Sequence, residues 1–169
     1  MRLKFAIAAA LLIAGVASDA LALSRRDVAS LDALYKRSRD LTQSLTEAAS
    51  AGVSQLNAGG DGQALDCLES LRDAAGQVSD RLMDVRDVAS LAASLHRGPD
   101  RRLGLAASRR TAASALAVLP AERRQIGQTA SLCFTQTAVQ QHARDALQLI
   151  DDATAALGRL GAAPAAARP

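Results

Sequence analysis

Residues 66–100 read DCLESLRDAAGQVSDRLMDVRDVASLAASLHRGPD. Leu68, Leu71, Ala75, Val78, Leu82, Val85, Ala89 and Ala92 recur in alternating steps of three and four, the spacing with which helices pack nearly parallel through a narrow apolar seam. Proline is absent from Gln63 to Arg97, and Gly76 is the single glycine there. Gly98-Pro99-Asp100 then stops one helix and starts another. Glycine just past a helix end accepts a left-handed backbone, proline cannot continue a helix, and Asp100 is able to cap the next one. From Asp61 to about Gln136 the chain therefore reads as two long helices folded back on each other.

The fold-back predicts where the two cysteines lie. Cys67 precedes Pro99 by 32 residues and Cys133 follows it by 34. A helix rises about 1.5 Å per residue, so the two thiols fall near one level. A bond between Cys67 and Cys133 would close a loop of 66 residues, which loop-closure entropy values at about 4 kcal/mol at most. The alternative is two free thiols packed as small hydrophobes.

The N-terminus bears on that choice. Arg2 and Lys4 precede an uncharged apolar run from Phe5 to Val16, and Ala20-Leu21-Ala22 places small residues at the two positions read at cleavage. This is the pattern of a secretory signal peptide over residues 1–22, with cutting after Ser18 as the other site. The run is too short to span a bilayer, and no later stretch is apolar enough to do so. The expected location is periplasmic or secreted, where two cysteines are most simply one disulfide.

Removing 22 of 169 residues leaves 147, enough for one domain with its own core, expected over 23–160. Only Tyr35 and Phe134 remain as aromatics, with no tryptophan. The core must come from Leu, Val, Ile and Ala. Alanine has the best helix propensity but buries little area. Alternating β-branched runs are missing, so the class is all-α: an antiparallel up-down bundle of three to four helices, at about 24–57, 62–97, 100–119 and 121–160. Ser24 caps the first, with Asp27 three residues on, and Leu31, Leu34, Ser38, Leu41, Leu45, Ala48 and Gly52 form its seam. Asn57–Gly62 is loop.

Pro120 removes a backbone donor and disfavours helical geometry at Leu119. Either the third helix is long and kinked, or it breaks with Pro120 in the first turn of a fourth. Glu122 near that start favours the break. Beyond it, Ile126, Ala130, Cys133, Thr137, Gln140, Ala143, Leu147, Ile150, Thr154, Leu157 and Leu160 continue the spacing, with Thr137 and Gln140 as polar interruptions. Residues 161–169 read as a disordered tail.

The arms of the fold-back differ in sign. The first carries Asp66, Glu69, Asp73, Asp80, Asp84 and Asp87 against Arg72, Arg81 and Arg86; the second carries Arg101, Arg102, Arg109, Arg110, Arg123 and Arg124 against Asp100 and Glu122. Such segregation serves to pair the arms in register, at about 0 to 1 kcal/mol per exposed pair. Alternatively the six arginines form a basic face for phosphate or carboxylate groups of an envelope component. Nucleic acid is disfavoured by export and by the lack of stacking aromatics.

Motifs of catalysis are missing. His96 sits beside the turn and His142 beyond the level of Cys133, too far apart for a shared metal. There is no Cys-x-x-Cys-His, no Glu-x-x-His, no glycine-rich phosphate loop and no Gly-x-Ser-x-Gly elbow. Met83 with His142 as a haem pair is opposed by the register. No cofactor and no enzymatic activity are expected. The expected function is binding of an envelope protein partner, with an anionic ligand as the alternative. A homodimer is compatible with the narrow alanine-rich seams.

Overall fold

A computed structural model describes residues 23–60, 62–95 and 98–162. Residues 1–22, where a signal peptide is expected, Asp61, His96, Arg97 and residues 163–169, expected as a disordered tail, lie outside the described residues. Among the described residues four helices follow one another: α1 (Arg25–Asn57), α2 (Gly62–Ser94), α3 (Pro99–Leu132) and α4 (Thr137–Gly161). Among the described residues there are no strands. Short connections make successive helices antiparallel, giving the expected up-down bundle.

The helix ends follow local chemistry. Ser24 forms a capping box: its hydroxyl accepts from Asp27 N at 3.1 Å, and Asp27 Oδ2 accepts from Ser24 N at 3.0 Å. Gly98, at φ 134°, makes the α2–α3 turn in a conformation L side chains rarely adopt. Pro99 opens α3 in the first turn, where its missing donor costs nothing, and Asp100 sits in that turn rather than capping it.

All eight residues of the α2 seam are buried, joined by Cys67, Ala74 and Ser79. α2 touches α1, α3 and α4, whereas α1 and α3 do not meet. The α2–α4 diagonal is thus the short one. Both helices bury small residues, among them Ala74, Ala75 and Ala89 on α2 and Ala143, Ala146 and Ala153 on α4, which permits such close approach. At the far end of the hairpin, a Cβ on Gly104 would lie 3.1 Å from the Ala92 Cβ, so α2 and α3 approach closely there because glycine leaves room.

Two expectations for the second half are corrected. The chain neither breaks nor reverses at Pro120, which lies inside α3. An interior proline costs a helix about 3 kcal/mol through its missing donor and ring clash. Here the ring is exposed, while Glu122, Ile126 and Thr129 beyond it are buried, as are Ser108, Ala112, Ala115 and Leu119 before it. Packing on both sides of the proline therefore holds one helix. The reversal falls instead at Cys133–Gln136, which has neither glycine nor proline. There the Gln140 side-chain amide donates to the carbonyls of Ala130 and Cys133, satisfying groups left open at the end of α3.

Because α4 restarts after that turn, its phase is not an extension of α3. Val139, Ala143, Ala146, Ile150, Ala153 and Leu157 face the core. Thr137 and Thr154, assigned to the seam by spacing from Ile126, are exposed, and Gln140 and Leu147 are half-buried. In α1 the seam holds, with the polar Ser38 fully buried and its hydroxyl donating to Tyr35 O at 2.7 Å.

Candidate functional site

Cys67 and Cys133 lie at disulfide distance, with Cα atoms 6.6 Å apart and both side chains buried. The pair joins the start of α2 to the end of α3. Ser70 Oγ and Thr129 Oγ1, one turn further in, are 3.0 Å apart, and Gln63 Nε2 donates to Leu132 O at 3.3 Å. These contacts tie down the end of the bundle where α1 and α3 finish and α2 and α4 begin.

That end is apolar on its outside. Leu132 and Phe134 are 70% and 75% exposed, and Val53 and Leu56 are also exposed. A Cβ on Gly62 would lie 3.6 Å from Leu56 Cδ1, and Gln63 bonds to Leu132, so the four residues belong to one end of the molecule. The groove beside Leu132, about 520 Å³, runs along α3 past Ser131, Gln128, Gly127 and Arg124. Composition hinted at this: one of only two aromatics in residues 23–169 falls at Phe134. Its exposure was not legible, because the turn that turns it outward carries no turn residues.

The six arginines are not one surface. Arg123 faces α4, with Nε 3.0 Å from Asp151 Oδ1, and that carboxylate holds its guanidinium above the usual range. Arg124 donates to its own helix at Pro120 O. Arg101 and Arg109 are half-buried, while Arg102 and Arg110 are exposed. No ion pair joins any of Arg101, Arg102, Arg109, Arg110 or Arg124 to a carboxylate among the described residues.

The expected pairing of an acidic arm with a basic arm is therefore not how the hairpin is held: among the described residues, no ion pair links α2 to α3. On α2 the acids pair with adjacent arginines, Asp73 with Arg72 at 3.0 Å and Asp87 with Arg86 at 2.6 Å. Asp87 raises the Arg86 guanidinium further, and Arg86 also lies over the Tyr35 ring at 4.1 Å from its centre. Besides Arg123 with Asp151, a second inter-helix pair that spacing missed is Arg37 with Asp152, 2.6 Å apart across α1 and α4. Chiefly through that hydrogen bond, Arg37 pulls the Asp152 carboxyl below its ordinary range. The pair borders a cleft of about 340 Å³ whose sides include Ser30, Leu34 and Arg159.

Glu122, expected near a helix start, is buried in the middle of α3, and its Oε2 accepts no hydrogen bond among the described residues. His142 is half-buried in α4, and His96 lies outside the described residues. Met83 accepts from the Tyr35 hydroxyl, at 3.8 Å. Among the described residues no three His, Cys, Asp or Glu side chains gather as a metal site would need, and no helix is long and apolar enough to cross a membrane. No protein-family model, curated protein or solved structure matches the chain.

Proposed function

We propose that this chain is an exported, non-catalytic helical bundle that acts by protein–protein contact in the cell envelope, as an adaptor, inhibitor or chaperone-like binder. The observation that carries the reading is the apolar end formed by Val53, Leu56, Leu132 and Phe134. Exposed apolar side chains gathered at one end of a bundle are costly to leave in water and mark interaction sites, and an aromatic side chain is the usual anchor of such a contact. The Cys67–Cys133 pair holds that end rigid, which lowers the ordering cost of binding.

Export is supported by Arg2, Lys4, the apolar run and Ala20-Leu21-Ala22, together with a cysteine pair suited to an oxidising compartment. Cell fractionation and N-terminal sequencing should find the protein in the periplasm or medium beginning at Leu23 or Asp19. An uncut cytosolic chain would remove the envelope from this reading. Tagged protein should capture a discrete protein from envelope extract, and a Leu132→Ser, Phe134→Ser variant of unchanged helicity should lose it. Capture that is indifferent to both changes would overturn the role of this end.

A second reading, binding of an anionic small molecule or envelope polymer, is favoured by Arg102 and Arg109, seven residues apart with no carboxylate partner among the described residues. Retention on a polyanionic matrix should fall with salt and with Arg102→Glu, Arg109→Glu. Retention that stays flat from low to high salt would eliminate it.

A further inference from the structure

We propose that the end of the bundle where α1 and α3 begin docks on an anionic lipid surface, with the apolar Phe134 end held away from it. This goes beyond the protein-binding reading, which concerns the opposite end.

The two ends differ in charge. Where α1 and α3 begin and α2 and α4 finish, the four residues closest to each helix terminus include Arg25, Arg26, Arg101, Arg102 and Arg159 against Asp27 and Asp100. At the disulfide end the matching stretches, 54–57, 62–65, 129–132 and 137–140, include no Asp, Glu, Lys, Arg or His. Of the five arginines, Arg101 is half-buried and the others are exposed. No ion pair joins any of them to a carboxylate among the described residues. Asp27 is engaged by Ser24 in the capping box. Positive charge is therefore in excess at this end and is left for something outside the bundle.

The arrangement fits an extended surface better than one small anion. Arg25 and Arg26 stand on α1, Arg101 and Arg102 on α3, and these two helices do not meet. Neighbouring helix axes lie about 10 Å apart, so helices at opposite corners are roughly 15 Å apart. A single phosphate or carboxylate does not bridge that gap, whereas a layer of headgroups meets both corners at once, each guanidinium taking phosphate oxygens by paired hydrogen bonds. Exposed leucines border the arginines: Leu103 follows Arg102 directly and is 66% exposed, and Leu91, in the last turn of α2, is 63% exposed. Apolar side chains next to basic ones are the composition with which a protein surface enters a headgroup layer.

The flanks set the pose. Asp66, Asp73, Asp80, Asp84 and Asp87 are all exposed along α2. An anionic surface repels such a row, so the molecule stands on its end instead of lying on that side. α2 is 33 residues long, about 50 Å, and Leu132 and Phe134 are presented that far from the lipid. The chain's connectivity agrees. Leu23 leads into α1 at this end, so the apolar run Phe5–Val16 joins the bundle here, nearest the membrane at which a signal segment is cut.

Co-sedimentation with vesicles tests this. Protein beginning at Leu23 is used, so that the apolar run cannot bind lipid by itself, and circular dichroism verifies its folding. At low ionic strength it should bind vesicles of equal parts phosphatidylglycerol and phosphatidylcholine, be released by salt, and ignore pure phosphatidylcholine. Arg25→Glu, Arg26→Glu and, separately, Arg101→Glu, Arg102→Glu should each weaken binding on the order of 100-fold, at up to about fivefold per unit of charge. Both pairs lie in the first turn of a helix, where glutamate suits the helix dipole, so the helices should persist. Arg124→Glu, Arg144→Glu changes the net charge equally but away from this end, and should stay within about threefold of wild type. The chain has no tryptophan, so a single introduced one reports its own surroundings. Emission of Leu103→Trp should shift to the blue on vesicle binding, and that of Phe134→Trp should not. Inorganic phosphate at matched ionic strength should displace nothing. Absence of binding, indifference to either arginine pair, an equal loss in the Arg124 and Arg144 variant, displacement by phosphate, preference for dissolved dextran sulfate over the vesicles, or a blue shift at Phe134→Trp each overturns the proposal. Capture of an envelope protein through Leu132 and Phe134 is read in a separate experiment without lipid, so either reading can fail while the other stands.

Discussion

α2 and α3 are neighbours of nearly equal length, 33 and 34 residues, and both are rich in alanine. Yet α2 buries eleven side chains and α3 seven. The difference is one of position. α2 touches three helices, whereas α3 touches α2 and α4 alone. α4 is also short, ending at Gly161 beside Leu116. A helix enclosed on three sides must obey the apolar spacing throughout, and α2 does. A corner helix has a wide free face, and α3 uses that freedom to carry Pro120, the exposed Leu103 and Leu132, and the exposed Arg102, Arg110, Arg123 and Arg124.

The largest expected effect lies at the bond between the two helices. Replacing Cys67 and Cys133 by serine should lower stability by up to about 4 kcal/mol, read as a fall in the urea midpoint of oxidised against mutant protein. An unchanged midpoint would mean that packing alone sets the register. Next comes the core of α2. Leu82→Ala should cost about 3 kcal/mol, within the range for a fully buried leucine, whereas Leu103→Ala on the free face of α3 should stay within about 0.5 kcal/mol. Equal costs would erase the distinction between an enclosed and a corner helix.

Two substitutions should stabilise α3. Pro120→Ala restores a helical donor at a penalty of about 3 kcal/mol for interior proline, offset by up to about 1 kcal/mol because proline also restricts the unfolded chain. A net gain of about 1 to 2 kcal/mol is expected by thermal unfolding. Glu122→Leu removes a buried carboxylate oxygen without a partner and should raise stability by about 1 to 2 kcal/mol. A loss at Glu122 would show that its carboxylate has a role the packing does not reveal.

The smallest effect concerns the lighter contact of α1 with α4. Arg37 holds the folded pKa of Asp152 below its ordinary value of 3.8. The contribution of this pair is therefore present above about pH 4 and lost as pH falls through the folded value. Both groups are well exposed, so Asp152→Asn should cost less than about 1 kcal/mol at pH 7, and the cost should shrink as pH falls through the folded value.

Legibility followed the same division. The α2 seam from Leu68 to Ala92 and the Gly98–Pro99 turn could be read because every residue obeyed one spacing and the turn used residues with special backbone preferences. The Cys67–Cys133 match followed from equal arm lengths. The turn at Cys133–Gln136 could not be read, since Phe134, Thr135 and Gln136 carry only a modest bias against helix and the Gln140 contacts that cap it exist only once the helices pack. Half of the α4 seam was lost with it: Ala143, Ile150 and Leu157 are inward as the spacing has them, whereas Thr137 and Thr154 are exposed. The arginines were legible as a group, but which of them meet a carboxylate depended on where α4 lay.

By itself the sequence determined that the chain is helical, where it folds back, and which face of α2 is inward, because helix propensity and apolar spacing act over a few residues. Only the tertiary structure decided that Pro120 stays within a helix, that Phe134 is exposed, and that Asp66, Asp80, Arg110 and Arg124 have no ion-pair partner among the described residues. Each of those outcomes turns on which distant helix occupies the neighbouring space, and local preferences of a few tenths of a kcal/mol, or even the roughly 3 kcal/mol of one proline, are outweighed by the burial of whole helix faces.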